Sequence, residues 1–373
     1  MVHIRQIEIF GFKSFGFKNT MIDFEPGLVS ISGPNSSGKS NLLDAIVFAL
    51  GENRPKIMRA DKLRSLIHDI EGSGRHGPKI SRVSVHFDNS DRKIPVDSNS
   101  VVITREMDDK GENIYYLNQK NDNRAHILEL LEVANAGLNQ LNAVQHDTVE
   151  KVTKFTSEEL RKTIENLIGL SFFDEKKTAV LRQLERIECR LESLTKTDKK
   201  TSIEQLKEER NFIIKRLEEI ENDKRQTFLD AFDKIDKEIS YTFSKITGSS
   251  AWLQLENEDD IFSSGLYYFI QLPNKQKNEF TLIQGAEKML AAIIFVLALQ
   301  KLKLSPFYLL DQIDNYLDGP NSERFAKIIE ERSQNSQVIM VTGKDPIVQR
   351  AKLVYGVFPQ NGSSHIVAYK DKN

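Results

Sequence analysis

The chain has a single cysteine, Cys189, in 373 residues. That excludes an internal disulfide and any cluster of cysteine ligands for a metal. Long apolar runs are also missing: the longest, Met289 to Leu299, falls short of the roughly 20 residues a bilayer crossing needs and reads as a buried helix. Nor is there an excess of one charge, since 52 Lys and Arg face 54 Asp and Glu for a net charge of -2. Contact with a polyanion would therefore have to come from a local patch. The opening Met1-Val2-His3-Ile4-Arg5 lacks the apolar core of a signal peptide, so a reducing, cytoplasmic setting is expected. The sequence contains no low-complexity tract and no tandem repeat.

The residues that are present divide the chain by texture. Up to about residue 156, short β-branched runs alternate with Gly, Asn and Asp turns. Ile4 to Phe10 alternates, Leu28 to Ser32 is a compact strand, and Ser81 to Phe87 and Val101 to Arg105 repeat the pattern, so a mixed sheet is expected. A Thr156/Ser157 cap with acidic residues in the first turn then opens a charged helical stretch. Val180, Leu184, Ile187, Leu191 and Leu194 step by alternating fours and threes, the spacing of a coiled-coil seam. After a polar break at Thr195 to Thr201 the apolar stripe resumes at Ile203, Leu206, Ile213, Leu217 and Ile220 and runs on to Phe243. So short a connection predicts two antiparallel helices meeting near residue 198, with Gly169 interrupting the first. A helical hairpin inside a globular core is the alternative, but it calls for wider apolar faces. Beyond Gly248 sheet segments return at Gly265 to Gln271. A buried helix from Lys288 to Leu302 then leads into the apolar strands Pro306 to Leu310 and Val338 to Val341 in a βαβ rhythm.

Three motifs carry chemistry. The first is Gly33-Pro34-Asn35-Ser36-Ser37-Gly38-Lys39-Ser40, set between the Leu28 to Ser32 strand and a helix from Asn41 to Leu50, the context of a P-loop. Glycines let the backbone wrap phosphates, Lys39 reaches the outer phosphates and Ser40 holds Mg²⁺. Pro34 to Asn41 are therefore the nucleotide-binding candidates: Pro34, Asn35, Ser36, Ser37, Gly38, Lys39, Ser40 and Asn41. The second motif is Phe307-Tyr308-Leu309-Leu310-Asp311-Gln312, an apolar strand that ends in a carboxylate, which makes Asp311 a Walker B aspartate for Mg²⁺. Many buried strands end in Asp, and it is the P-loop upstream that gives this one its meaning. The third is Gln284-Gly285-Ala286-Glu287-Lys288 at the start of the buried helix, placed like an ABC signature. Such a helix start presents free N–H groups to the γ-phosphate held by a second subunit; the alternative is an ordinary helix start. Gln145 as the Q-loop, Leu317-Asp318 as the D-loop and Thr342 as the switch position follow in the expected order.

With these residues in place the chain resembles the SMC family, in its prokaryotic-type homodimeric form, over essentially its whole length. The resemblance rests on Ile9-Phe10-Gly11-Phe12-Lys13-Ser14-Phe15, Gly38 to Ile46, Lys56-Ile57-Met58-Arg59-Ala60, Asp88-Asn89-Ser90-Asp91 and Pro306 to Asp311. It implies an α/β fold: an ABC-type P-loop ATPase head made of N- and C-lobes around a mixed sheet, with an antiparallel coiled-coil stub. The expected division is an N-lobe at 1–156, a stub at 157–245 in which the join of the two lobes falls near 195–202, and a C-lobe at 246–373. It also implies that Mg-ATP is sandwiched between two heads of a homodimer, that a kleisin subunit closes a ring with them, and that the ring embraces double-stranded DNA with no membrane involved. By position it assigns Lys13 and Ser14 to the nucleotide, Arg59 as an arginine finger, and Gln145 to Mg²⁺ and the attacking water. A planar, permanently charged guanidinium suits transition-state phosphate. Otherwise Arg59 is one more member of the basic loop Arg54, Lys56, Lys62 and Arg64.

Departures from the family pattern bear on function. Gln312 stands where Glu is usual, and a carboxamide cannot accept the proton of an attacking water. Loss of a positioned base costs roughly 10² to 10⁴ in rate, so ATP binding with very slow hydrolysis is expected, whether Gln312 is the natural residue or an isosteric trap. Gln284 and Ala286 replace Ser and Gly in the signature, and Ala286 would be strained by about 1 to 2 kcal/mol if its backbone needs positive φ. Two further readings stand beside the leading one: a head with a structural role only, and the head of a related DNA-repair ATPase. A transporter subunit is excluded by the long helical excursion between Lys39 and Gln284. For DNA, Lys56, Arg59, Lys62, Arg64, Arg82, Arg92, Lys93, Arg105 and Arg124 form the candidate phosphate surface, with plain solvated surface as the alternative.

Overall fold

Apolar alternation shapes the first sheet of the computed structural model, which describes residues 2–68, 79–139, 141–195, 200–271 and 276–370. In β1 (His3–Phe10) the step from Ile4 to Ile7 is odd, yet both are buried. A bulge between Ile4 and Gln6 in the pairing with β4 absorbs the extra residue. The other strands of this sheet are β2 (Thr20–Asp23), β4 (Ile80–Asp88), β5 (Ser100–Asp108), β6 (Asn113–Leu117) and β7 (Lys120–Asp122). Their order is β2-β1-β4-β5-β6-β7 and every pairing is antiparallel.

A second sheet has the order β15-β14-β3-β13-β12-β8. It takes β3 (Leu28–Ser32) and β8 (Ala143–Gln145) from the first part of the chain. From the last part come β12 (Phe307–Asp311), β13 (Gln337–Val341), β14 (Leu353–Gln360) and β15 (Ser363–Lys370). All pairings are parallel except β14 with β15. Parallel strands are covered on both faces, and β12 and β13 accordingly read as unbroken buried runs. The strands that the sequence placed in one mixed sheet before residue 156 thus divide between an antiparallel sheet and this one. Gln337, fully buried in β13, exchanges both hydrogen bonds with the Ile4 backbone (2.9 and 2.8 Å) and so stitches the two sheets.

Helices α1 (Lys39–Ala49), α2 (Arg124–Val133), α3 (His146–Val152), α7 (Gly285–Leu299), α8 (Gly319–Ser333) and α9 (Asp345–Arg350) belong to the same compact unit, formed by Met1–Thr153, Lys245–Thr247 and Gln284–Asn373. Every residue of α7 from Met289 to Leu299 is buried, as its lack of polar side chains requires.

The second unit, Lys154–Ser244 with Gly248–Ile283, contains α4 (Ser157–Leu167), α5 (Ser171–Thr195), α6 (Lys200–Thr247) up to Ser244, and a sheet of β9 (Ser250–Leu255), β10 (Leu266–Gln271) and β11 (Asn278–Glu279). Thr156 and Glu159 form a capping box at the start of α4. Gly169, at φ 70, separates α4 from α5, a conformation that favours glycine. Val180, Ile187 and Ile213 are the buried seam, with Leu184, Leu191, Leu206, Leu217 and Ile220 packed on them. Asp174 pairs with Lys224, Lys177 with Glu221 and Glu188 with Arg210, so positions rise along α5 as they fall along α6, and the two helices are antiparallel. The expected join lies at the break between them, where residues 196–199 are outside the described residues.

One inward position of β5 breaks the apolar pattern. Arg105 sits between Ile103 and Met107 and is fully buried, so it does not belong to the phosphate surface expected from the sequence. Its guanidinium donates to Phe48 O (3.0 Å), Glu52 O (2.7 Å), Asn53 Oδ1 (2.8 Å) and Asn113 Oδ1 (2.9 Å), and lies 4.1 Å from the centre of the Phe48 ring. Four acceptors and the negative end of α1 account for the buried charge. Arg105→Ala is therefore expected to cost about 3 to 5 kcal/mol, read as a lower urea midpoint of the unit that contains α1.

Candidate nucleotide and metal site

Parallel strands deliver their loops to one edge, and the register here says which residues meet. Ile31 pairs with Val341, Val341 with Asp311, and Asp311 with Gln145. The C-terminal ends of β3, β13, β12 and β8 therefore bring the P-loop, Thr342, Asp311 and Gln145 to the same side of the sheet, where α/β proteins place their ligands.

The P-loop turns sharply between β3 and α1. Gly33 has φ 148 and Gly38 has φ 99. A Cβ at Gly33 would lie 2.1 Å from Val357 O, and one at Gly38 would lie 2.1 Å from Ser364 Oγ. Both positions therefore exclude side chains by conformation and by space. α1 begins at Lys39 with no side-chain cap and no acidic residue in its first turn, so its N-terminal N–H groups present partial positive charge. A pocket of about 540 Å³ opens over the loop, with Asn35, Lys39, Ser40, Gln312 and Asn315 among its lining. Lys39 Nζ bonds to Gly33 O (2.9 Å) and Pro34 O (2.6 Å). Burial holds its pKa below the ordinary lysine value, and the Asp311 charge opposes that shift.

At the floor of the site one carboxylate is shared. Ser40 Oγ donates to Asp311 Oδ1 at 2.8 Å, and Arg59 donates to Asp311 Oδ2 at 2.6 Å and to Ser40 O at 2.7 Å. Arg59 also reaches Asp44 Oδ1 at 2.8 Å, while Lys13 Nζ takes Asp44 Oδ2 at 2.6 Å. Burial raises Asp44 above the usual carboxylate range against the pull of Arg59 and Lys13. For Arg59, burial is opposed and outweighed by the Asp44 and Asp311 charges, so its pKa is raised.

Arg59 follows a short turn, Pro55–Met58, in a left-handed conformation (φ 51). Two other candidates hold that turn: Lys13 Nζ bonds to Met58 O (2.6 Å) and Gln145 Nε2 to Ile57 O (2.8 Å). The structure thus brings together Lys13, Lys39, Ser40, Arg59, Gln145 and Asp311. Asp44, which lies within the Gly38 to Ile46 stretch and carries no role from the sequence, is the buried tie between Lys13 and Arg59. Ser40 hydroxyl and Asp311 carboxylate, hard oxygen donors 2.8 Å apart beside a phosphate cradle, fit Mg²⁺ with a nucleoside triphosphate.

Gln312 is left-handed (φ 53), and its backbone N–H bonds to Val341 O at 2.9 Å, which holds the residue at the end of β12. Its side-chain oxygen accepts from Asn315 at 3.3 Å. Thr342 Oγ1 donates to Asp314 Oδ2 at 2.5 Å and accepts from Lys344 N at 2.9 Å, so the switch candidate is tied to a buried acid that the sequence did not flag. Asp318 caps α8 through Asn321 N at 3.0 Å.

The signature candidates lie elsewhere. Gln284 is the N-cap of α7 with no side-chain cap bond, and Gln284 to Glu287 are exposed. Among the described residues, none of Gln284, Gly285, Ala286, Glu287 and Lys288 lines the P-loop pocket. The positive φ of this turn, 70°, falls on Gly285, so Ala286 carries no such strain. Of the expected phosphate surface, Arg59 and Arg105 are committed as described, Arg82, Arg92 and Lys93 have carboxylate partners, and Arg124 bonds to Gly51 O. Lys56, Lys62 and Arg64 are exposed beside Arg59.

The model for the RecF/RecN/SMC N-terminal domain matches residues 3–365. The chromosome partition protein Smc of Pyrococcus furiosus is 35% identical over 241 residues, which is 64% of this chain and 19% of that protein. The match spans between 13% and 22% of the length of such relatives. The crystal structure of the Pyrococcus furiosus Smc head domain with an extended coiled coil, bound to the C-terminal domain of ScpA, superimposes with a TM-score of 0.88 at 35% identity, covering 99% of this chain and 97% of that one. A second structure, an Smc head bound to the C-terminal winged-helix domain of ScpA, gives 0.79 at 32% identity and covers 99% of both chains.

Burial pushes the Asp314 carboxyl up to about 6, with the Thr342 hydrogen bond opposing. Between about pH 4 and 6 the folded protein keeps a proton that the unfolded chain releases, so this group's contribution to stability is lost as pH rises through that window. Asp314→Asn removes the titration. Its stability relative to the parent is expected to rise by about 1.4 kcal/mol from pH 5.0 to 7.5, measured by urea denaturation at the two pH values.

Proposed function

We propose a function from one premise: the chain belongs to the RecF/RecN/SMC N-terminal-domain family. On that premise it is the ATP-binding head of a chromosome-organising SMC protein of the cytoplasm. The observation that carries the reading is the convergence of Lys39, Ser40, Asp311 and Gln145 at one strand edge, with Arg59 bonded to Asp311 at 2.6 Å. Ser40, Asp311 and Gln145 would hold Mg²⁺, which when bound neutralises the β- and γ-phosphates. Lys39, the loop N–H groups and the start of α1 bind the same phosphates. Lys13 and Gln145 set the turn that carries Arg59, so they position the finger as well as the ligand.

Gln312 occupies the place from which a carboxylate would take a proton from water. A carboxamide orients water without accepting that proton, so binding outlasts hydrolysis. The exposed signature start, which contributes nothing to its own P-loop pocket, supports a nucleotide shared between two copies of the chain. Of the phosphate surface expected from the sequence, Lys56, Lys62 and Arg64 are the members exposed for DNA phosphates. Solved heads of similar fold are bound to ScpA, which supports a kleisin partner here. A second reading, a head that binds nucleotide only to hold structure, is favoured by Gln312 itself.

Turnover separates the two. Gln312→Glu is expected to raise the ATP hydrolysis rate by roughly 10² or more with little change in nucleotide affinity. An unchanged rate would favour the structural reading. Light scattering is expected to show Mg-ATP shifting the parent from one chain to two, and a strictly monomeric chain at saturating Mg-ATP would remove the shared-nucleotide account.

A further inference from the structure

We propose that Ser364, on the last strand of the chain, is a positioning residue that aims a backbone N–H of the P-loop at the nucleotide; this rests on the nucleotide-binding reading above. Ser364 is 6% exposed and its Oγ lies 2.7 Å from both Ser37 O and Ser14 Oγ. Asn41 Nδ2 lies 2.7 Å from Ser14 Oγ. The direction of each bond follows from proton count. Ser37 O only accepts, so the one hydroxyl proton of Ser364 goes to it. Ser14 must then donate to Ser364 and accept from Asn41. The four groups form a single chain, Asn41 to Ser14 to Ser364 to Ser37, in which each hydroxyl gives one proton and takes one.

Peptide planarity turns this chain into a constraint on the ligand. In a trans peptide the C=O and the following N–H point in opposite directions. Ser364, which is not part of the pocket lining, holds the Ser37 carbonyl toward β15, so the Gly38 N–H on the other side of the same peptide points the opposite way, toward the cradle that Gly38 lines. Gly38 permits the approach, since a Cβ there would lie 2.1 Å from Ser364 Oγ. The backbone reinforces the tie: Ser364 N donates to Ser14 O at 2.7 Å, which fixes the turn containing Lys13 and Ser14 against the same strand. No motif in the sequence marks Ser364, because it is separated from Ser14 by 350 positions.

Titration of the full chain with a fluorescent ATP analogue and Mg²⁺ tests this, with Lys39→Ala, Ser364→Ala, Ser364→Thr and the Ser14→Ala/Ser364→Ala pair. Loss of one hydrogen bond that orients a phosphate donor is expected to weaken binding about tenfold in Ser364→Ala. Ser364→Thr, which keeps the hydroxyl, should restore most of it. The double variant should be no weaker than Ser364→Ala alone, because Ser14 acts through Ser364. Parent-like affinity in Ser364→Ala overturns the proposal. So does a loss that Ser364→Thr fails to restore and that matches a fall in melting temperature, because that is the signature of a structural role. A parent that binds no better than Lys39→Ala removes the nucleotide reading itself, and this inference with it.

Discussion

A hydrogen bond of 2.8 Å from Ser40 to Asp311 joins positions that are 271 residues apart, and the rest of the site depends on it. It forms because β3 and β12 are parallel strands on either side of β13, so the loops that follow them leave the sheet at the same edge. Parallel pairing of this kind needs long crossover connections, and the one from β8 to β12 contains the whole of the second unit.

Charge follows from that geometry. Bringing Asp311 next to the P-loop places two carboxylates, Asp311 and Asp44, within reach of Arg59, and Lys13 completes the balance. The left-handed backbone of Arg59 and the two side chains that grip its turn describe a residue held in place at some cost, which is common where a loop must present one group to a ligand. Far from this centre, Arg105 does an analogous job at the other end of α1, where four carbonyl and amide acceptors replace the solvent an arginine usually keeps.

Much of this was legible from the sequence. The P-loop and Asp311 could be located because each adjoins a strand with a strong apolar pattern, whereas Gln145, at the end of the three-residue β8, was placed only by the order of the motifs. The seam at Val180, Ile187 and Ile213 and the break at Gly169 follow from spacing and from one glycine. Tertiary hydrogen bonding was not legible. Asp44 looks like an exposed-type residue on a short helix, Ser364 looks like a turn serine, and Arg105 reads as one more basic residue until its alternation in β5 places it inward. The split of the early strands between two sheets was also hidden, since β3, a central strand of the parallel sheet, and the antiparallel strands of the other sheet share the same short β-branched texture. At the signature, the positive φ fell on Gly285 and spared Ala286, a one-residue difference that local pattern does not resolve.

Calorimetric titration of Mg-ATP into the parent and into Lys39→Ala tests the central claim most directly. The account predicts saturable binding by the parent and a loss of at least about tenfold in affinity when the ammonium group is removed, since charge-assisted bonds to phosphate are the strongest in the cradle. Equal heats and equal affinities from the two proteins would contradict it.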